Sequence, residues 1–210
     1  LLIRRGHWRA QDYSAPGLSG VQMWNGIKKD FLNSGLPKWI ELLLAGQRLA
    51  LLAGNDGHGN FNRFRQLKLP HLQMIEADIE VFGKARTGLL LKGEQTLESI
   101  MEALQNHRAI VTDGPFANLE FETGGEIYPI GAEAPRIRGE LRVSAVTTPS
   151  LGEFVSITLF EGHLDTKKET QRQLAPLGSM NFKFSENRSA LPDYIRLVVV
   201  TQHRGETFHC

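Results

Sequence analysis

Beyond Pro115 the chain loses every helical period, and no other feature constrains its fold as much. "RIRGELRVSAV" alternates Ile137, Leu141, Val143 and Ala145 with Arg138, Glu140, Arg142 and Ser144, the period-two pattern of a strand with one buried face. "FVSITLF", "SMNFKFS" and "YIRLVVVTQ" repeat the theme between the turn-rich pieces "TTPSLGE" and "SENRSALPD". About ninety residues of short strands without a helix predict an antiparallel β-sandwich over 116–210. The same alternation sends most of Phe154, Phe160, Phe182 and Phe184 into a core instead of an exposed row.

Ahead of Pro115 the pattern is mixed α/β. "LSGVQMW" reads as a strand with Val21, Met23 and Trp24 inward, ended by Asn25-Gly26. "LPKWIELLLAG" puts Pro37 in a first helical turn, spaces Leu36, Ile40, Leu43 and Leu44 along one stripe, and stops at Gly46. "RLALLAG" is a second strand, so Leu18 to Gly54 has the order of a βαβ unit with parallel strands. Residues 60–83 read as a long loop containing a short helix, a length that usually serves function. "ARTGLLLK" is another strand. Leu97, Ile100, Met101 and Leu104 then form a helical stripe with Thr96 as cap and Asn106 near its end, and "RAIVTDGP" closes the unit as a strand.

Composition narrows the function classes. With 24 basic and 23 acidic residues, and clusters no longer than Arg4-Arg5 or Lys167-Lys168, there is no stripe to follow phosphates, so nucleic acid is not an expected partner. A lone cysteine, Cys210, rules out an intrachain disulfide and a cysteine-based zinc cluster. No apolar run approaches the roughly 20 residues of a membrane span, so membrane insertion is not expected. The compartment, cytoplasmic or periplasmic or secreted, is left open. The ends, "LLIRRGHW" and "GETFHC", suggest the carboxyl-terminal piece of a longer protein, whose upstream part would be a partner. P-loop, G-x-S-x-G and Rossmann fingerprints are absent, which removes nucleotide and serine-hydrolase readings.

"LALLAGNDGHGN" ends a buried apolar run on Asp56 and His58, separated by Gly57. A carboxylate and an imidazole just past a strand's carboxyl end stand where α/β folds place their chemistry, and Gly57 lets the backbone turn between them. Such a pair can reach one metal or two neighbouring ones. Equally, Asp56 and Gly57 can build a turn and leave His58 on the surface.

"GVQMWNG…LPKWIELLLAGQRLALLAGNDGHGN" and "TLESIMEALQNHRAIVTDGPFANLEF" resemble the closing section of PHP (polymerase and histidinol phosphatase) superfamily metallohydrolases, especially the CehA-like branch, along almost the whole chain. The resemblance implies a distorted, TIM-like β/α barrel closing over residues 1–115 and an appended β-domain over 116–210. It also implies that Asp56 and His58 are the last ligands of a site for two or three divalent cations. A carboxylate and a neutral imidazole suit Zn, Mn or Fe(II). Such metals turn water into hydroxide and polarise a phosphoryl or carbonyl oxygen, which implies hydrolysis of a small-molecule phosphoester, ester or amide. Two ligands do not complete a catalytic site; the family's others, including an early H-x-H, would lie upstream of Leu1.

His7 is a further ligand candidate, with packing beside Trp8 as its alternative. Asn25, Asn55 and Asn60 are candidates to touch substrate or to orient ligands, or else turn residues. Arg63 and Arg86, ahead of Arg65, are candidates to hold an anionic group, since guanidinium pairs with phosphate or carboxylate through two bonds. Asp113 reads as a turn former, and His107, His163, His203 and His209 as surface histidines. The competing functional reading is a non-catalytic binding or structural protein, with a degenerate barrel and a sandwich that recognises carbohydrate or a partner.

Overall fold

The computed structural model describes residues 8–55, 83–174 and 178–210. Over these the chain is mostly β. Strand β1 (Gly20–Asn25) pairs in parallel with β2 (Ala50–Gly54), and the connection between them is helical. Helix α1 (Lys28–Asp30) runs through a π-helical turn, Phe31–Gly35, into α2 (Leu36–Leu44). The predicted helix therefore begins earlier than Leu36. Asn33, Ser34 and Gly35 read locally as turn formers, yet Gly35 is needed where it stands, because a Cβ there would come within 2.6 Å of the Met23 carbonyl oxygen. Its absence lets the helix lie directly on β1. Gly46, with φ +81°, then ends the helical segment as expected.

Strand β3 (Arg86–Leu89) and β4 (Ala109–Thr112) flank α3 (Leu97–Gln105). Thr96 caps α3, its hydroxyl accepting from the Ser99 N–H at 3.1 Å, and Asn106 closes the other end by donating to the Glu102 carbonyl at 2.8 Å. The stripe predicted for α3 is rotated. Leu97 and Met101 are exposed, while the small Ala103 is fully buried, so close backbone approach and not side-chain size set this helix's inner face. β3 and β4 pair antiparallel, unlike the parallel neighbours of a β/α barrel. A closed barrel is not seen among the described residues, which here form two separate two-stranded sheets.

Residues 116–210 form two four-stranded antiparallel sheets, the arrangement of a β-sandwich. One has the order β10-β7-β5-β6 and the other β12-β11-β8-β9. Their strands are β5 (Phe116–Thr123), β6 (Glu126–Tyr128), β7 (Gly139–Val146), β8 (Glu153–His163), β9 (Lys168–Gln173), β10 (Asn181–Arg188), β11 (Tyr194–His203) and β12 (Glu206–His209). The shared core takes Phe121, Leu141, Val143 and Phe182 from the first sheet and Phe154, Ile157, Leu159 and Val199 from the second. Burying each such side chain contributes about 1.5–3 kcal/mol. Phe154 and Phe182 lie in the core as alternation predicts, and Phe184 packs against it. Phe160 instead lies under the Arg196 guanidinium, 3.6 Å from its ring centre. Ile137, expected inward, is 54% exposed, because β7 begins only at Gly139.

In β1, Val21 and Trp24 are buried and Met23 only partly so. The register slips between Gln22 and Trp24, and that irregularity turns Trp24 into the core, where it stacks on Phe31 at 4.6 Å. Leu42, which the predicted stripe left out, is the buried leucine of α2, while Leu36, Ile40, Leu43 and Leu44 are half-buried. No described helix is long and apolar enough to cross a membrane.

Candidate functional site

The carboxyl ends of β1 and β2 lie side by side, since the parallel register pairs Asn25 with Gly54. The chain leaves β2 there, two residues ahead of Asp56. β3 is tied to the same end: the Thr87 hydroxyl donates to the Ala53 carbonyl at 2.9 Å and accepts from the Ala53 N–H at 2.8 Å, filling both bonding positions of that residue. Arg86, the residue before, is exposed and pairs in register with Thr112 at the end of β4. β4's exit is drawn in as well, because Lys28, just past β1, is ion-paired at 2.9 Å with Asp113, just past β4.

Two sequence candidates, Asn25 and Arg86, therefore belong to one cluster of strand ends. Asn25 is exposed, its Oδ1 accepting from Gln22 Nε2 at 2.7 Å. Asn55, directly after β2, is half-buried and engaged in its own interaction. Asp56, His58, His7, Asn60, Arg63 and Arg65 lie outside the described residues, as does most of the loop predicted over 60–83.

Asp113 does more than form a turn. It is buried, and besides Lys28 its Oδ1 accepts from the His209 backbone N–H at 2.6 Å, while its own N–H donates to the His209 carbonyl at 3.1 Å. Lys28 also donates to the Thr207 carbonyl and lies 5.6 Å from the centre of the Phe208 ring. One lysine and one aspartate thus tie the exits of β1 and β4 to the last strand. Turn formation belongs to Thr112, whose hydroxyl accepts from the Gly114 N–H at 2.9 Å and donates to the Pro115 carbonyl at 2.6 Å. Sequence reasoning missed Lys28 and the role of Asp113, because their partners are far away in the chain. Both carboxylate oxygens of Asp113 are thus engaged by groups of the chain itself.

The histidines also need correction. His107, His163, His203 and His209 are all half-buried, not surface residues, and His107 and His209 each have a buried Nδ1 without a hydrogen-bond partner among the described residues. Burial holds both below the ordinary 6.5, helped by Arg48 beside His107 and opposed by Asp113 beside His209. An unfolded chain would bind these two protons first. Stability contributed by the neutral rings is therefore complete above the unfolded value and is lost as pH falls from it through the lowered folded values. Urea-unfolding midpoints should drop between about pH 7.5 and about pH 5.5, before carboxylates titrate. Replacing both residues with glutamine should flatten that drop; an unchanged slope would contradict the assignment.

Among the described residues one other group has metal-ligand types close together. His163, Asp165 and Asp193 bring ligand atoms within 4.8 Å of one another, on the β8–β9 turn and just ahead of β11. Asp193 is already engaged, accepting from the Leu164 N–H at 2.7 Å and from Arg136 at 2.5 Å, and these bonds hold its carboxyl below the usual range. Cys210 packs against the sandwich core, and burial pushes its thiol up to about 11, so it is not a thiolate nucleophile near neutral pH. No protein-family model, curated protein or solved structure matches this chain.

Proposed function

We propose that this chain is part of a metal-dependent hydrolase of PHP type. In this reading residues 1–115 close a β/α barrel, and 116–210 form an appended sandwich. The observation that supports it best is the gathering of strand ends: β1 and β2 are parallel neighbours, β4 exits beside them, and the D-x-H sequence begins two residues past the end of β2. Open and barrel α/β folds collect ligands at that position. The donor set fits, since a carboxylate and an imidazole suit Zn, Mn or Fe(II) and exclude none of them.

Asp56 and His58 would hold the cations together with ligands from the upstream part of the protein. The metals would supply a hydroxide nucleophile and polarise the bond that is cleaved. Asn25 and Arg86 would line the approach, Arg86 offering two N–H groups to an anionic oxygen. The Lys28–Asp113 pair, its carboxylate buried, would set the spacing of the strand ends.

The test is the metal content of the full gene product, measured by plasma mass spectrometry after exhaustive dialysis. Transition metal near stoichiometric or above is expected, falling about tenfold or more in Asp56→Ala and His58→Ala. Metal-free protein, or content indifferent to both substitutions, would sink this reading.

A further inference from the structure

His163 ends β8, Asp165 lies in the β8–β9 turn and Asp193 stands just ahead of β11, and one ligand atom from each lies within 4.8 Å of the other two. The sheet places two of the three. His163 pairs with Lys168 in the β8–β9 ladder, and the Asp193 N–H donates to the Gly162 carbonyl at 3.1 Å, one residue before Tyr194 pairs with Gly162. The Asp193 carboxylate is also oriented: Oδ2 accepts from the Leu164 N–H at 2.7 Å and Oδ1 from Arg136. A carboxylate oxygen has two lone pairs, so each keeps an acceptor position. Hydrogen bonds of this kind accompany carboxylates that ligate metals. The His163 ring stands beside two carboxylates yet makes no hydrogen bond or ion pair with any described residue. Around a metal ion with bonds of about 2.0–2.2 Å, neighbouring ligand atoms sit about 3–4 Å apart. Asp165 is exposed, so its side chain is free to close the remaining distance of about 1 Å.

We infer that His163, Asp165 and Asp193 form a site for a divalent transition-metal ion, held by one imidazole nitrogen and two carboxylate oxygens with water completing the shell. The donor types choose the cation. Ca²⁺ and Mg²⁺ take oxygen ligands, whereas an imidazole beside carboxylates suits Zn²⁺ and its first-row neighbours. Charge agrees, since two carboxylates are opposed by one guanidinium. Arg136 is 59% exposed, so it can release Asp193 into the grip of a cation and remain solvated. Bound there, the ion would fasten the β8–β9 turn to the lead into β11. The site uses neither Asp56 nor His58, so it stands or falls apart from the hydrolase reading.

The probe is Zn²⁺, titrated calorimetrically into the 210-residue chain carrying Asp56→Ala and His58→Ala, so that those two residues contribute nothing. One site per chain with a Kd on the order of 10 μM is expected, undisturbed by millimolar Ca²⁺. His163→Gln and Asp165→Asn should each weaken binding about tenfold or more. Arg136→Gln removes the competing cation and should tighten it roughly threefold to tenfold. Circular dichroism checks that each variant folds; Asp165→Asn, at an exposed turn position, keeps the test open if another does not. Absence of saturable binding, displacement by millimolar Ca²⁺, or an affinity unchanged in both His163→Gln and Asp165→Asn overturns the inference.

Discussion

Gly152→Ala is expected to destabilise the chain by about 4 kcal/mol, the sum of a left-handed backbone penalty of about 1 kcal/mol and a steric overlap of about 3 kcal/mol. Gly152 has φ +78°, and a Cβ there would overlap the Gln202 carbonyl. Neither side can give way cheaply. The Gly152 N–H donates to the Thr148 carbonyl at 3.0 Å in the turn that launches β8, and Gln202 pairs with Glu153 in the β8–β11 ladder. A shift of either breaks bonds at the joint of the second sheet. Gly205→Ala is the matching control: its φ is +84°, but nothing lies within 4 Å of the added Cβ. It should lose only the backbone penalty, about 1 kcal/mol. Urea unfolding of both variants separates strain from overlap, and equal losses would show that Gly152 is retained for its φ alone.

Asp113→Ala should cost about 3 kcal/mol, at the lower end of what breaking a buried ion pair costs. The side chains of Asp113 and Lys28 are 3% and 26% exposed, so after the substitution the ammonium can still reach water, whereas the His209 N–H loses its acceptor in a buried setting. At about 2–4 °C per kcal/mol for a chain of this size, the melting temperature should fall by about 6–12 °C. Lys28→Met should also destabilise, by leaving Asp113 without its cation. The double variant Lys28→Met/Asp113→Leu should lose less than the two single losses combined, because an apolar pair avoids the stranded charge. Additive losses would mean that the two side chains act independently, and the tie between β1, β4 and the last strand would have to be assigned to backbone bonds.

What local chemistry dictates was legible in the sequence. Thr96 and Asn106 bracket a helix because a hydroxyl and an amide satisfy the backbone groups that any helix end leaves open. Leu141, Val143 and Ala145 alternate into the core because a pleated strand has period two whatever it packs against. Gly46 marks the stop of a helix through a φ preference that belongs to glycine alone, whereas Pro37, read as a first turn, lies within a helical segment that already begins at Lys28. The D-x-H sequence, two residues beyond a strand, was visible because its spacing is local.

Tertiary structure decided the rest. The slip between Gln22 and Trp24 puts Trp24 inward through pairing with β2, and no pattern within β1 states which partner it will have. The antiparallel β3–β4 pair, the placement of Leu97 and Met101 on an exposed face, and the half-buried His107 and His209 all depend on what comes to lie alongside. Asp113 shows the division most plainly. Its sequence neighbours, Thr112 and Gly114, announce a turn, but the lysine and the strand that fix its role stand 85 and 96 positions away. A side chain's own preferences act over a turn or a strand's pleat, and by itself the sequence determined the elements built from them. Burial, charge pairing and cavity walls arise between elements, so only folding could assign them.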